Sequence, residues 1–134
     1  MKLRDFTRIS TLYRNREDKI NQVILSNINI NNIDENNIEI TAVTNNKHTT
    51  ILRINLRTKE TKVFCDCESF NFEFAAVLLK HKALLNEEHF IERWKHAPPR
   101  KTNRRKNPYN VPAGCKHIIK LARYILIHLY RYLK

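Results

Sequence analysis

From Gln22 to Val63 the chain alternates apolar and polar residues in short runs broken by asparagines, the period-two pattern of half-buried strands. Ile24, Ser26, Ile28 and Ile30 share one face of a first strand. Ile38, Ile40 and Ala42 do so in a second, and Leu52, Ile54 and Leu56 in a third. Asn31-Asn32, Asn45-Asn46 and Arg57-Thr58 stand where tight turns are expected, asparagine being tolerant of left-handed backbone. A fourth run, Thr61 to Cys67, follows at once. The pattern predicts an antiparallel meander over residues 20–67, whereas residues 1–20 are mixed, charged and without clear period.

Past Cys67 the spacing turns helical. Ser69 is placed to cap a helix whose buried face holds Phe70, Phe74, Val77, Leu78 and Leu85. Asn86 caps a second short helix, with Glu87 and Glu88 in its first turn and Phe90, Ile91 and Trp94 facing inward. Residues 97–114 read as a loop punctuated by Pro98, Pro99, Pro108 and Pro112, and a last helix runs from about Cys115 to Tyr132. That helix is apolar around much of its circumference. Either it carries an interaction surface or the sheet and the earlier helices cross it. The expected class is α+β, one domain over residues 1–134: a three- or four-stranded meander, a helical stretch over 68–96, the loop and the C-terminal helix over 115–134.

Composition sharpens this picture in one respect. The chain of 134 residues is 42% hydrophobic and 28% charged, which fits a folded domain with a modest core. Its net charge of +12 is not evenly spread. Residues 1–92 hold 13 basic and 13 acidic side chains, and after Glu92 there is no carboxylate side chain among 42 residues that carry 12 positive charges. Such polarity suits a surface that meets polyanions. Arg100, Lys101, Arg104, Arg105 and Lys106 form the densest basic run, and Lys116 and Lys120 continue it into the last helix. Phosphate contact is the expected use, the alternative being a solvated loop. Tyr109 beside it could stack on a base or simply pack against prolines.

Gly114 is the sole glycine, which argues against glycine-built phosphate cradles. No apolar run opens the chain, and the greasiest stretch, Tyr124 to Tyr130, falls far short of the roughly 20 residues that span a bilayer. Neither secretion nor a membrane partner is expected, and three cysteines fit poorly with a disulfide framework.

Those cysteines carry the chemistry. In Cys65-Asp66-Cys67 the two thiols at i and i+2 of an extended segment point to the same side. Cys115-Lys116-His117 opens the last helix, where a bend can turn both side chains inward. Three thiolates and an imidazole make a closed tetrahedral set of the type that holds one structural Zn2+, and soft ligands select zinc over magnesium or calcium. The set uses every cysteine and would staple the sheet to the helix across 47 intervening residues. The competing reading is three free buried cysteines and an unrelated histidine. His81, His89, His96 and His128 have no partner at ligand spacing. No nucleophile is left with a base, and adjacent Glu87 and Glu88 point about 100° apart on a helix, so no enzyme is expected.

Phe64-Cys65-Asp66-Cys67-Glu68-Ser69-Phe70 and Gly114-Cys115-Lys116-His117-Ile118-Ile119, preceded by a meander, resemble the SWIM zinc-finger family over about half of the chain. The resemblance implies zinc held by Cys65, Cys67, Cys115 and His117, and a role in binding DNA or protein without a reaction of its own. The separation of the two pairs is longer than in the common SWIM pattern. The stretch from Asn107 to His117, after the aromatic-rich Phe70 to Phe74, is similar to small SWIM-like proteins encoded by tailed bacteriophages. That likeness implies a virion component in contact with nucleic acid or with an acidic surface on neighbouring subunits, set in a particle or the infected bacterial cytoplasm. The alternative is an intracellular nucleic-acid-binding regulator.

Overall fold

The alternating region folds, in a computed structural model that describes residues 1–8, 16–96 and 112–129, into a four-stranded antiparallel sheet. Strands β1 (Leu25–Asn32), β2 (Asn37–Thr44), β3 (His48–Asn55) and β4 (Thr61–Cys65) lie in the order of the chain. A short 3-10 turn, Leu3–Thr7, and helix α1, Arg16–Asn21, precede the sheet. A π-turn, Phe70–Phe74, leads into α2 (Ala75–Lys80), and α3 (Glu87–His96) and α4 (Lys116–His128) follow. The architecture is α+β, as the hydrophobic pattern predicts. No described helix is long and apolar enough to cross a membrane.

Strand β2 shows why the pattern is legible. Ile38, Ile40, Ala42 and Thr44 are buried while the residues between them are half-exposed, and β3 answers with buried Thr50, Leu52 and Ile54. The register places Ile40 opposite Leu52 and Thr50 opposite Cys65, so one face of the sheet is continuously apolar. Onto it pack Leu3 and Phe6 from the N-terminal turn, Phe70, Phe74 and Leu78 around α2, and Ile118, Leu121, Ala122 and Ile125 of α4. Arg123 fastens α4 to the N-terminal elements: Nε donates to the Thr7 carbonyl at 3.1 Å and both Nη atoms donate to Glu17 at 2.7 and 2.9 Å.

Several expectations need correction. Ile24, Ser26, Ile28 and Ile30 do not share a face, because β1 carries one extra residue opposite Ala42 where Asn27 takes φ 50°. Such a bulge shifts the side-chain phase by one, so Leu25 packs against the core before it and Ile28 after it. Ile24 is left 60% exposed. The first turn falls beyond Asn31-Asn32, which remain in β1, and Asp34 accepts from the Asn36 and Asn37 amides to build it. Strand β3 ends at Asn55, one residue before Leu56, which still packs half-buried against the core with Leu52 and Ile54. The run through Cys67 leaves the strand at Cys65. Residues 1–20 do contain elements, held by buried Leu3, Phe6 and Ile20.

The helical corrections are local. Ser69 already has helical backbone and makes no capping bond. Asn86 takes φ 52°, outside the extended region of an ordinary cap. Phe90 is buried and Trp94 half-buried, but Ile91 is 43% exposed. Of the expected loop, Pro112 to Gly114 is seen without regular structure. Arg100, Lys101, Arg104, Arg105, Lys106, Tyr109 and the last expected turn at Tyr130 to Tyr132 lie outside the described residues.

Candidate metal centre

Four side chains far apart in sequence converge where the sheet ends. Cys65 is the last residue of β4, and the Asp66 amide donates to the Thr49 carbonyl at 3.3 Å, carrying the pairing one residue further. This extension keeps the chain straight enough for Cys67 to point as Cys65 does. After Cys67 the backbone turns into the π-turn. The Phe70 amide donates to Cys67 Sγ at 3.3 Å, and the Asn71 amide donates to the Cys67 carbonyl at 3.2 Å. The sulfur of Cys67 thus occupies the capping role that Ser69 does not fill.

The second pair is delivered by the start of α4. Cys115 has extended backbone at the cap position, and its carbonyl accepts from Ile119 at 3.0 Å, while His117 lies in the first turn. Gly114 makes the approach possible: a Cβ there would lie 2.5 Å from Ile118 Cγ2. Two segments entering helices therefore aim their N-terminal ends at one point, where partial positive charge favours thiolates.

The ligand atoms of Cys65, Cys67, Cys115 and His117 all lie within 4.8 Å of one another. Nδ1 of His117 is 3.7 Å from Cys65 Sγ and 3.8 Å from Cys115 Sγ. Bonds of about 2.3 Å to sulfur and 2.0–2.1 Å to nitrogen around a tetrahedral ion hold these atoms about 3.6 Å apart, so the cluster needs only slight contraction to close on a metal. Relative exposures of 0% for Cys65, 4% for Cys67, 0% for Cys115 and 3% for His117 leave the protein as the source of all four ligands. The arrangement is a closed, buried Cys3His cluster with the spacing of a metal site.

The three thiols shift one another's protonation. Burial above all, then its bonds with Cys65 and Cys67, push the Cys115 thiol well up. The bond from Cys115 pulls Cys65 down, but the bond with Cys67, burial and the Cys67 charge outweigh it, so Cys65 is pushed up to about 12. Cys67 is held low by bonds from Cys115 and Cys65, helped by His117 and the Phe70 amide. Negative charge concentrates on a single sulfur, since three thiolates in so dry a pocket require a cation.

Around the cluster stands a shell that the spacing of cysteines did not reveal. Thr50 Oγ1 lies 3.6 Å from Cys65 Sγ and 3.2 Å from Thr44 Oγ1, which donates to the His48 carbonyl. Asn45 Nδ2 is 3.5 Å from His117 Nε2. The His48 ring tilts against that of His117 at 5.0 Å between centroids, and its Nδ1 is 3.1 Å from Asp66 Oδ1. The signal available in sequence was Asp66, the middle residue of the first pair, which also accepts from the Thr49 amide. Of the basic residues expected to touch polyanions, Lys116 and Lys120 are half-buried on α4, Lys116 between Cys115 and His117.

Fold and site define a small α+β domain with a buried Cys3His cluster joining a sheet end to a helix start. No protein-family model, no curated protein and no solved structure matches the chain.

Proposed function

We propose that the cluster holds one structural zinc ion and that the protein is a non-enzymatic binding module of the SWIM type, contacting nucleic acid through its basic C-terminal third. The observation that carries the reading is the closed, buried Cys3His set: four protein ligands leave no position for an activated water, and soft thiolates favour zinc. Its job is then to fix one part of the chain against another.

What it fixes is the boundary between a neutral scaffold and a chain segment with no carboxylate side chain. The first turn of α4 contains no acidic residue and begins with Lys116, so the basic character of the segment continues into the helix. Lys116, Lys120 and the run from Arg100 to Lys106 supply the positive charge. An acidic protein surface is the other partner of this chemistry, and a tailed-phage particle is a setting in which both occur.

Binding of the zinc-loaded chain to short DNA and RNA duplexes, followed by anisotropy across a salt series, tests the reading. Affinity should fall steeply and linearly on logarithmic axes, with a slope set by the number of phosphate contacts, and should vary little with sequence. Replacing Arg104, Arg105 and Lys106 by alanine should shallow that slope. Absence of binding at low salt would refute the nucleic-acid reading. Fixed-copy co-purification with particles would mark a virion component, and salt-reversible binding alone a regulator.

A further inference from the structure

The two edges of the sheet are treated differently by the chain. Along β4 the outer edge is closed: the Thr61 amide donates to the Met1 carbonyl, the Val63 amide to Ala83, and the Leu85 amide to the Val63 carbonyl. Bridges pair Lys2 with Glu60 and Val63 with Leu84. Along β1, by contrast, no described residue pairs with the outer edge.

An open edge is ordinarily blunted by lysine, proline, an inward charge or a bulge. Of these β1 has only a bulge, and no charged side chain lies anywhere from Ile20 to Ile33 in a chain of net charge +12. The bulge at Asn27 breaks only the first part of the strand. From Asn29 to Asn32 the register is regular. Three of the five exposed large hydrophobics among the described residues, Ile24, Ile30 and Ile33, lie on this strand or beside it.

The hydrogen-bond parity of β1 selects a partner. The Ile33 amide donates to the Asn37 carbonyl at 2.9 Å, so Ile33, Asn31 and Asn29 direct their backbone groups toward β2. Ile28, Ile30 and Asn32 therefore present theirs outward. An antiparallel strand related by a two-fold axis at Ile30 would meet them with the same parity, Ile30 against Ile30 and Ile28 against Asn32. Asn29 would then face Asn31 in the close, non-hydrogen-bonded pairs. The segment Ile28-Asn29-Ile30-Asn31-Asn32 is thus nearly self-complementary, and its neutrality lets two highly basic chains approach along it. We infer that β1 is a homodimerisation edge, joining two copies of this chain into one eight-stranded sheet.

Analytical ultracentrifugation of the zinc-loaded full chain, freed of nucleic acid and at moderate ionic strength so that exposed charge pairs are not screened away, tests this without reference to polyanion binding. A dimer is expected within the micromolar to near-millimolar range. Asn29 and Asn31 are exposed, and Asn29 gives up only an exposed bond from Nδ2 to the Asn27 carbonyl at 3.2 Å, lost alike in both variants below, so substitutions there should change the thermal melt of the monomer little and equally. Asn29→Lys with Asn31→Lys sets lysine against lysine across the axis and should raise the dissociation constant by roughly tenfold or more. Asn29→Asp with Asn31→Lys sets opposite charges together and should keep the dimer. A chain monomeric throughout overturns the inference. So does a dimer that ignores both variants or is lost equally in both, and so does a monomer whose edge takes a strand from another protein.

Discussion

Cys115→Ser isolates the contribution of the cluster to folding. Cys115 is fully buried and stands at the helix start, so the variant removes one ligand and leaves the other three in place. A metal joining Cys67 to Cys115 cross-links the chain around 47 intervening residues. Treated as a covalent cross-link, closure of such a loop restricts the unfolded chain by about 4 kcal/mol. Domains of this size have total stabilities of roughly 5–15 kcal/mol, so the loss is a large fraction of the whole. Converted through the unfolding entropy of a chain of this length, it lowers the melting temperature by roughly 10–20 °C.

Calorimetry beside elemental analysis reads both halves of the prediction. Wild type should carry one zinc per chain, and Cys115→Ser should carry little and melt far lower. Stripping zinc from wild type with a strong chelator should bring its melt close to that of the variant. A residual difference of about 1–2 kcal/mol is allowed for exchanging a buried thiol for a hydroxyl. Metal-free wild type with an unchanged melt would refute the reasoning. So would a variant that keeps both its zinc and its stability.

Two further substitutions probe the supports of the cluster. Thr50→Val removes the hydroxyl 3.6 Å from Cys65 Sγ while Thr44 keeps its bond to His48, so zinc affinity should fall roughly tenfold with little change in fold; a competition titration against a chromophoric chelator measures it, and unchanged affinity would show that Thr50 does not orient the ligand. Gly114→Ala drives a Cβ to 2.5 Å from Ile118 Cγ2 and 2.7 Å from Ile118 Cβ, so the start of α4 must shift. Stability should drop by about 1–3 kcal/mol in thermal denaturation, with weaker zinc retention, and a neutral result would mean that the helix start yields freely.

The sheet and the ligand set were legible in the sequence for different reasons. Strands β2 and β3 alternate strictly because each has one face on the core, and period two then survives in the residues themselves. The phase of β1 was not legible, because a bulge inserts a residue without leaving a glycine to mark it, and Asn27 alone supplies the left-handed turn. The four clustered residues were legible because thiols at i and i+2, and a Cys-x-His at a helix start, are rare patterns with few uses. Their shell was not. Thr44, Asn45, His48 and Thr50 belong to the β2–β3 hairpin, and the pairing of β3 with β4, Thr50 opposite Cys65, brings that hairpin beside the first cysteine pair. Ser69 misled because its residue type suits a cap, yet the sulfur of Cys67 already takes the Phe70 amide.

The distribution of charge explains why a metal suits this position in the chain. A folded segment ordinarily fixes its basic side chains partly through neighbouring carboxylates, and here none exists after Glu92. Among the described residues of that segment beyond α3, only Arg123 is tied by an ion pair, and its partner Glu17 lies in α1, at the opposite end of the sequence. The start of α4 therefore depends on packing and on the cysteine cluster to hold its place. Three thiolates with one divalent cation leave a local charge of about −1, which also offsets the positive potential of Lys116 and the helix N-terminus. Anchoring and charge compensation are then supplied at one point, in a segment that has no carboxylate side chain of its own to supply them.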